Sequence, residues 1–232
     1  MDAQAMHIAN GIVNGPVSAV FVIFAVAVLT VCVWKARADL DDRLAPMAGL
    51  VAAFIFAVQM LNFQVLPGVS GHLLGGTLAV ILVGPWVGAL CVSTVLIVQG
   101  RLLADGGLTA IGLNITNMAI LGTAAGYLLV AGLLRVLPKT PAGIGATAFI
   151  ASVISVVVAS QGFVLEYALG GTTDLSLPAI SGTMAGVHVL IGIGEGLIAA
   201  STVVTVAKVR PDLVYALRRF RKPVTIEAEA VA

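Results

Sequence analysis

Charge is scarce in this chain. Lysine, arginine, aspartate and glutamate make up 10% of its 232 residues, against about a quarter in an ordinary soluble domain. That excludes a water-facing globule, and a mean hydropathy of +1.10 places the chain in a lipid bilayer. Cysteine is nearly absent. Cys32 and Cys91 each fall inside an apolar run without CxxC spacing, so the chain offers no disulfide framework and no zinc motif. Both read as small packing residues. No lysine follows a glycine anywhere, which removes the GxxxxGK[ST] phosphate loop. Histidine occurs only at 7, 72 and 188, never with the spacing of an HExxH helix, and Ser70 beside His72 makes no catalytic triad. An intramembrane hydrolase therefore has no machinery to work with.

What is there is long apolar runs. A spanning helix needs about 20 mostly apolar residues. Such runs cover 17–34, 47–63, 108–134, 143–169 and 180–207. Another stretch, 73–103, is 31 residues long and carries Gly84-Pro85 near its middle. That pair breaks a helix, so the stretch divides into a short segment, 74–83, and a full one, 86–103. Between 64 and 73 the sequence "QVLPGVSGH" is uncharged and rich in glycine and proline, which predicts a loop. The expectation is an all-α membrane protein of seven transmembrane helices.

The few charges test this division. With the N-terminus outside and one crossing per segment, every basic residue except Arg101 lies on the cytoplasmic side. Lys35, Arg37 and Arg43 fill one loop, Arg135 and Lys139 the next, and the rest belong to the C-terminal tail. That satisfies the positive-inside rule. Reading 73–103 as a single span would move Arg135, Lys139 and the tail outside. The seven-segment topology also puts residues 1–14 and the loop 64–73 on one outer face. No internal repeat or second domain stands out. "RRFRK" in the tail fits a headgroup anchor or a docking site for a cytoplasmic partner.

Ionisable groups within a bilayer are expensive, which makes them functional candidates. Here they are His7, His72, His188, Glu166 and Glu195, with Gln59, Asn62, Gln99, Asn114, Asn117 and Gln161 as neutral polar companions. His7 and His72 share the outer face. Imidazole suits transition metals, although each ring could equally bond a loop carbonyl. His188 and Glu195 lie seven apart on one helix, so they share a face and could orient a metal-bound ring. Asn114 and Asn117, three apart, suit bonding between helices. Met6 matters because its neighbour is His7. A free terminal amine, the next peptide nitrogen and a second-position histidine Nδ1 form two fused chelate rings, and a distant histidine completes a square of nitrogens suited to Ni(II) and related ions. From Met1 those rings cannot close on His7. "AQA" before Met6 has the look of a cleavage site but has no basic or apolar segment ahead of it.

"MHIANGIVNGPVS" resembles the N-terminal signature of the CbiM/NikM family, the substrate-binding membrane subunits of energy-coupling-factor cobalt and nickel transporters. The similarity continues in order through "SGHLLGGTLAVILVGPW", "LLADGGLTAIGLNITNMA" and "GVHVLIGIGEGLI". It implies that the Met6 amine, His7 and His72 bind the metal, with His188, Glu195 and Asn114 in support. It implies Co2+ or Ni2+ as substrate, cobalt favoured through cobalamin supply, with no organic cofactor and no enzyme activity. It implies a multi-pass protein of a bacterial cell membrane. Its partners would be a CbiQ/NikQ-type coupling subunit, CbiO/NikO-type ATPases and a small CbiN/NikN-type membrane subunit, with no nucleic acid. The family fold has seven segments and tucks its N-terminal strip into the bundle from outside. On this reading residues 1–5 are a dispensable extension, 6–207 the metal-binding membrane domain and 208–232 a basic cytoplasmic tail. Ala9 and Asn10 depart from the family, which usually has proline and an acid there. The rival is a self-sufficient secondary metal carrier.

Overall fold

The computed structural model describes residues 7–39, 44–66 and 69–219. All seven apolar runs form helix: α1 (Gly15–Asp39), α2 (Leu44–Gln59), α3 (Gly76–Val83), α4 (Pro85–Leu102), a continuous helical segment Leu108–Val136, α7 (Pro141–Gly170) and α8 (Leu177–Val209). The Leu108–Val136 segment contains α5 (Ile111–Asn114), a π-helical stretch (Ile115–Leu121) and α6 (Gly122–Val136). A short α9 (Tyr215–Arg219) follows α8. Five of these helices are long and apolar enough to cross a bilayer. The molecule is a multi-pass helical membrane protein.

Two expectations need correction. The run 47–63 does not stay helical to its end: α2 stops at Gln59, and Phe63–Leu66 pairs antiparallel with Val69–Gly71 as β1 and β2. Beyond Gln59, whose side-chain amide bonds the Leu74 carbonyl, the β-branched Val65 and Val69 favour extended backbone. Nor is α3 a full crossing by itself. Its eight residues rise about 12 Å, against about 30 Å of hydrocarbon.

α3 is instead the axis of the bundle. All its residues are buried, and α2, α4, α6, α7 and α8 pack around it. The break at Gly84-Pro85 arises as the sequence suggests. Gly84 adopts φ +86°, open to glycine, and Pro85 starts α4, where its missing N–H costs nothing. An added Cβ at Gly84 would lie 2.9 Å from the Tyr215 ring, so the lower end of α3 is stoppered by α9. α7 and α8 form the most extensive helix pair. Gly192 lets α8 approach so closely that a Cβ there would sit 2.9 Å from Val153 Cα. Thr140 caps α7 by accepting from the Gly143 N–H at 3.2 Å.

At the upper end of α3, the segment before α1 is stitched into the bundle as a strip. Asn14 N–H donates to Gly170 C=O at 2.8 Å, and Thr172 N–H to Ile12 C=O at 3.1 Å. Gly107 N–H donates to Ile8 C=O at 3.0 Å on the strip's other side. Asn10 Oδ1 accepts from both Thr109 N–H and its hydroxyl, at 3.0 and 2.7 Å. Ile8, Val13, Ala110 and Leu113 close a small apolar cluster beneath it. The strip thus lies between the α7–α8 turn and the loop after α4.

Candidate metal centre

Loops converge at the upper end of α3, and two of them bring histidines together. His7, from the strip, and His72, from the end of the hairpin, are 6% and 1% exposed, with ring centroids 4.8 Å apart and planes at 41°. The loop after α4 supplies Asp105, whose Oδ1 accepts a 2.8 Å bond from His7 Nδ1. Gly106, at φ +87°, packs against the same residue: an added Cβ would be 2.7 Å from His7 Cβ. His72 Nδ1–H donates to Leu73 C=O at 2.8 Å. Each ring therefore spends Nδ1 on an oxygen, and in its neutral form turns the Nε2 lone pair inward. Both Nε2 atoms are buried without a hydrogen-bond partner. An unsatisfied buried nitrogen costs energy, and two side by side form an arrangement that a shared cation would relieve.

The electrostatics agree. The His7 bond leads the causes that hold the Asp105 carboxyl below its ordinary value, so it stays an anion. Burial first, then neighbouring His7, pulls His72 down to about 4, which keeps its ring neutral and its lone pair free at neutral pH. Carboxylate–imidazole pairing of the Asp105–His7 kind fixes a ring and raises its basicity as a ligand. Among the described residues no three His, Cys, Asp or Glu side chains gather closely enough to cage an ion unaided. Any tight site must draw further donors from elsewhere.

The other sequence candidates fall around this pair. Asn114 grips the strip rather than an ion, accepting from Ile8 N–H at 2.8 Å and donating to Ile8 C=O at 3.3 Å. Glu195 accepts from Leu74 N–H at 2.7 Å, two residues past His72. His188 bonds Met184 C=O of its own helix at 2.7 Å. Asn117 donates to Glu166 at 2.7 Å, a separate pair between the π-helical stretch and α7. Met6 lies outside the described residues. The sequence alone does not single out Asp105, although it is the acid in "ADGG" between two runs. Glycines on one side of an acid in an otherwise uncharged loop are the available signal.

The α-helical membrane bundle thus encloses two imidazoles, one of them braced by a carboxylate, a donor chemistry that suits a transition-metal ion. The model of the cobalt uptake substrate-specific transmembrane region, CbiM, matches residues 7–213, and the chain belongs to that family. A NikMN-type fused nickel transport protein of Archaeoglobus fulgidus is 36% identical over 209 residues, covering 90% of this chain and 68% of the relative. The cobalt transport protein CbiM of Geobacter sulfurreducens is 29% identical, covering 91% of this chain and 62% of its own length. A crystal structure described as a transition metal transporter superposes with a TM-score of 0.79 at 26% identity, covering 93% of this chain and 97% of the other.

Proposed function

We propose that the chain is the substrate-binding membrane subunit of an ATP-driven energy-coupling-factor importer for a divalent first-row metal, Co(II) before Ni(II). The observation that carries the reading is the His7–His72 pair, enclosed and with both Nε2 atoms unpartnered. The family description supports cobalt. The fused nickel relatives support Ni(II) as the second reading, and nitrogen donors accept both ions. The same fused relatives favour an N-type partner here. The coupling subunit and ATPases answer to the missing phosphate loop. The proposed topology has seven segments, the N-terminus outside and the C-terminus inside. Loop charge supports it, as does α3 joining the His72 end of the bundle to the Tyr215 end. Purified and reconstituted alone, the chain should bind the metal and transport nothing. Uptake should appear only with ATPase partners. Metal accumulation by the chain alone in ATP-free vesicles would make it a secondary carrier. Metal content after growth on equal cobalt and nickel decides between the ions.

The reading extends to the chain's start. Residues 1–5 are proposed as dispensable, 6–207 as the binding domain and 208–232 as the cytoplasmic tail, with Met6 supplying a free amine. With that amine the fused-ring chelate takes His7 Nδ1, so the ion displaces Asp105, which holds that nitrogen at 2.8 Å, and His7 Nε2 stays outside the donor set; without it His7 binds through Nε2 with Asp105 as its brace. Intact mass of the native protein should show Met6 as the first residue. A chain that keeps Asp2 and binds at full affinity would leave only the imidazoles as ligands.

A further inference from the structure

The three residues after His72 are held with unusual completeness. Leu74 N–H donates to Glu195 Oε2 of α8 at 2.7 Å, and the Gly75 N–H lies near the same carboxylate. Leu74 C=O accepts from Gln59 Nε2 of α2 at 2.8 Å. Leu73 C=O, one peptide back, accepts from His72 Nδ1 at 2.8 Å. Gln59, His72 and Glu195 are each at least 98% buried. A chain of bonds thus runs from two helices through the Leu73–Leu74 peptides to the ring of His72, whose centroid lies 4.8 Å from that of His7. The polar groups exceed what anchoring one turn of helix requires. Glu195 Oε1 and Gln59 Oε1 remain buried and unpartnered, and both residues line a cavity of about 10 Å³ between α2, α3 and α8. That holds about one water, too little for an ion with ligands, so the pair is not a second metal centre.

We propose that Gln59 and Glu195 are positioning residues that fix the ring rotation of His72, and through it the geometry and strength of metal binding. They act through the peptides of Leu73 to Gly75 without touching the ion. This rests on His72 being a ligand. The direction of Nε2 is set by where Leu73 C=O holds Nδ1–H, and Leu73 C=O is set by how Leu74 is clamped from both sides. Losing the bonding partner of a metal ligand elsewhere weakens metal binding by about 10–100-fold, and that is the effect expected here.

The test compares Co(II) affinity and the visible ligand-field spectrum of the full-length protein in detergent. Wild type and His72→Ala come first. If wild type binds no Co(II), or His72→Ala binds as well as wild type, the reading of the site falls and this proposal with it. Given a working site, Glu195→Ala should raise Kd by about 10–100-fold and shift the Co(II) bands while the helices stay folded. Glu195→Gln should restore affinity and spectrum, because its amide oxygen can accept from Leu74 N–H as Oε2 does. Wild-type affinity and bands in Glu195→Ala would overturn the proposal. So would a Glu195→Gln as weak as Glu195→Ala, which would assign Glu195 the role of a counter-charge. Should Glu195→Ala fail to fold, Gln59→Met decides. It keeps the volume and loses the donor to Leu74 together with an oxygen that has no partner, and unaltered Co(II) bands there would equally overturn the clamp.

Discussion

Replacing His72 with alanine is expected to abolish tight Co(II) or Ni(II) binding while the protein remains inserted and folded. His72 Nε2 has no bond to lose, and Nδ1 bonds only the adjacent Leu73 carbonyl. The substitution therefore removes a lone pair from the proposed centre and, besides a buried ring's volume, no hydrogen bond to another helix. The drop in affinity should exceed the roughly 10–100-fold that accompanies loss of a ligand's hydrogen-bonding partner. Calorimetry on purified protein reads it, with helical circular dichroism and elution volume as controls. Undiminished affinity would remove His72 from the site.

Gly107→Val should disable binding as thoroughly from a residue that touches no metal. An added Cβ at Gly107 would lie 2.4 Å from Asn10 N and 2.8 Å from Ala9 C. These are backbone atoms of the strip and cannot rotate away. Seating a valine must push the strip off the loop, breaking the Gly107–Ile8 bond and carrying His7 away from Asp105 and His72. Affinity should fall to the level of a His7 variant, with the helical core unaffected. Gly132→Val is the control, since nothing lies within 4 Å of a Cβ there. It should bind and elute as wild type. Tight binding in Gly107→Val would show that the strip's seating does not matter.

The legible parts of this molecule are those that the bilayer itself dictates. Hydrocarbon demands long apolar helices, so the runs announce themselves, and Gly84-Pro85 marks a break because φ +86° and a helix-starting proline are local properties. The π-helical turns at Ile115–Leu121 have no comparable local signature; they arise where Asn114 reaches the strip and Asn117 reaches Glu166. The hairpin Phe63–Gly71 is hidden for another reason. Its strands are three and four residues long, too short for alternation to be read. Within the site, the histidines are legible as rare residues on one face. Asp105 is not, because its partner lies 98 positions away. His188 and Glu195 do share a buried face; Glu195 hydrogen-bonds the His72 loop, while His188 bonds its own helix and acts on His72 only through its charge.

The unequal helices give the protein a thin side and a thick side. α2 has 16 residues and shows Leu50 and Phe54 to its surroundings, a wall about 24 Å high. α8 runs to 33 residues, about 50 Å. Lipid around such a body must thin along α2, or the body must tilt, and each ångström of misfit costs a fraction of a kcal/mol. The strain falls on the helix whose last residue, Gln59, holds the Leu74 carbonyl. Acyl-chain length is thus a physical variable that bears on the helix carrying Gln59.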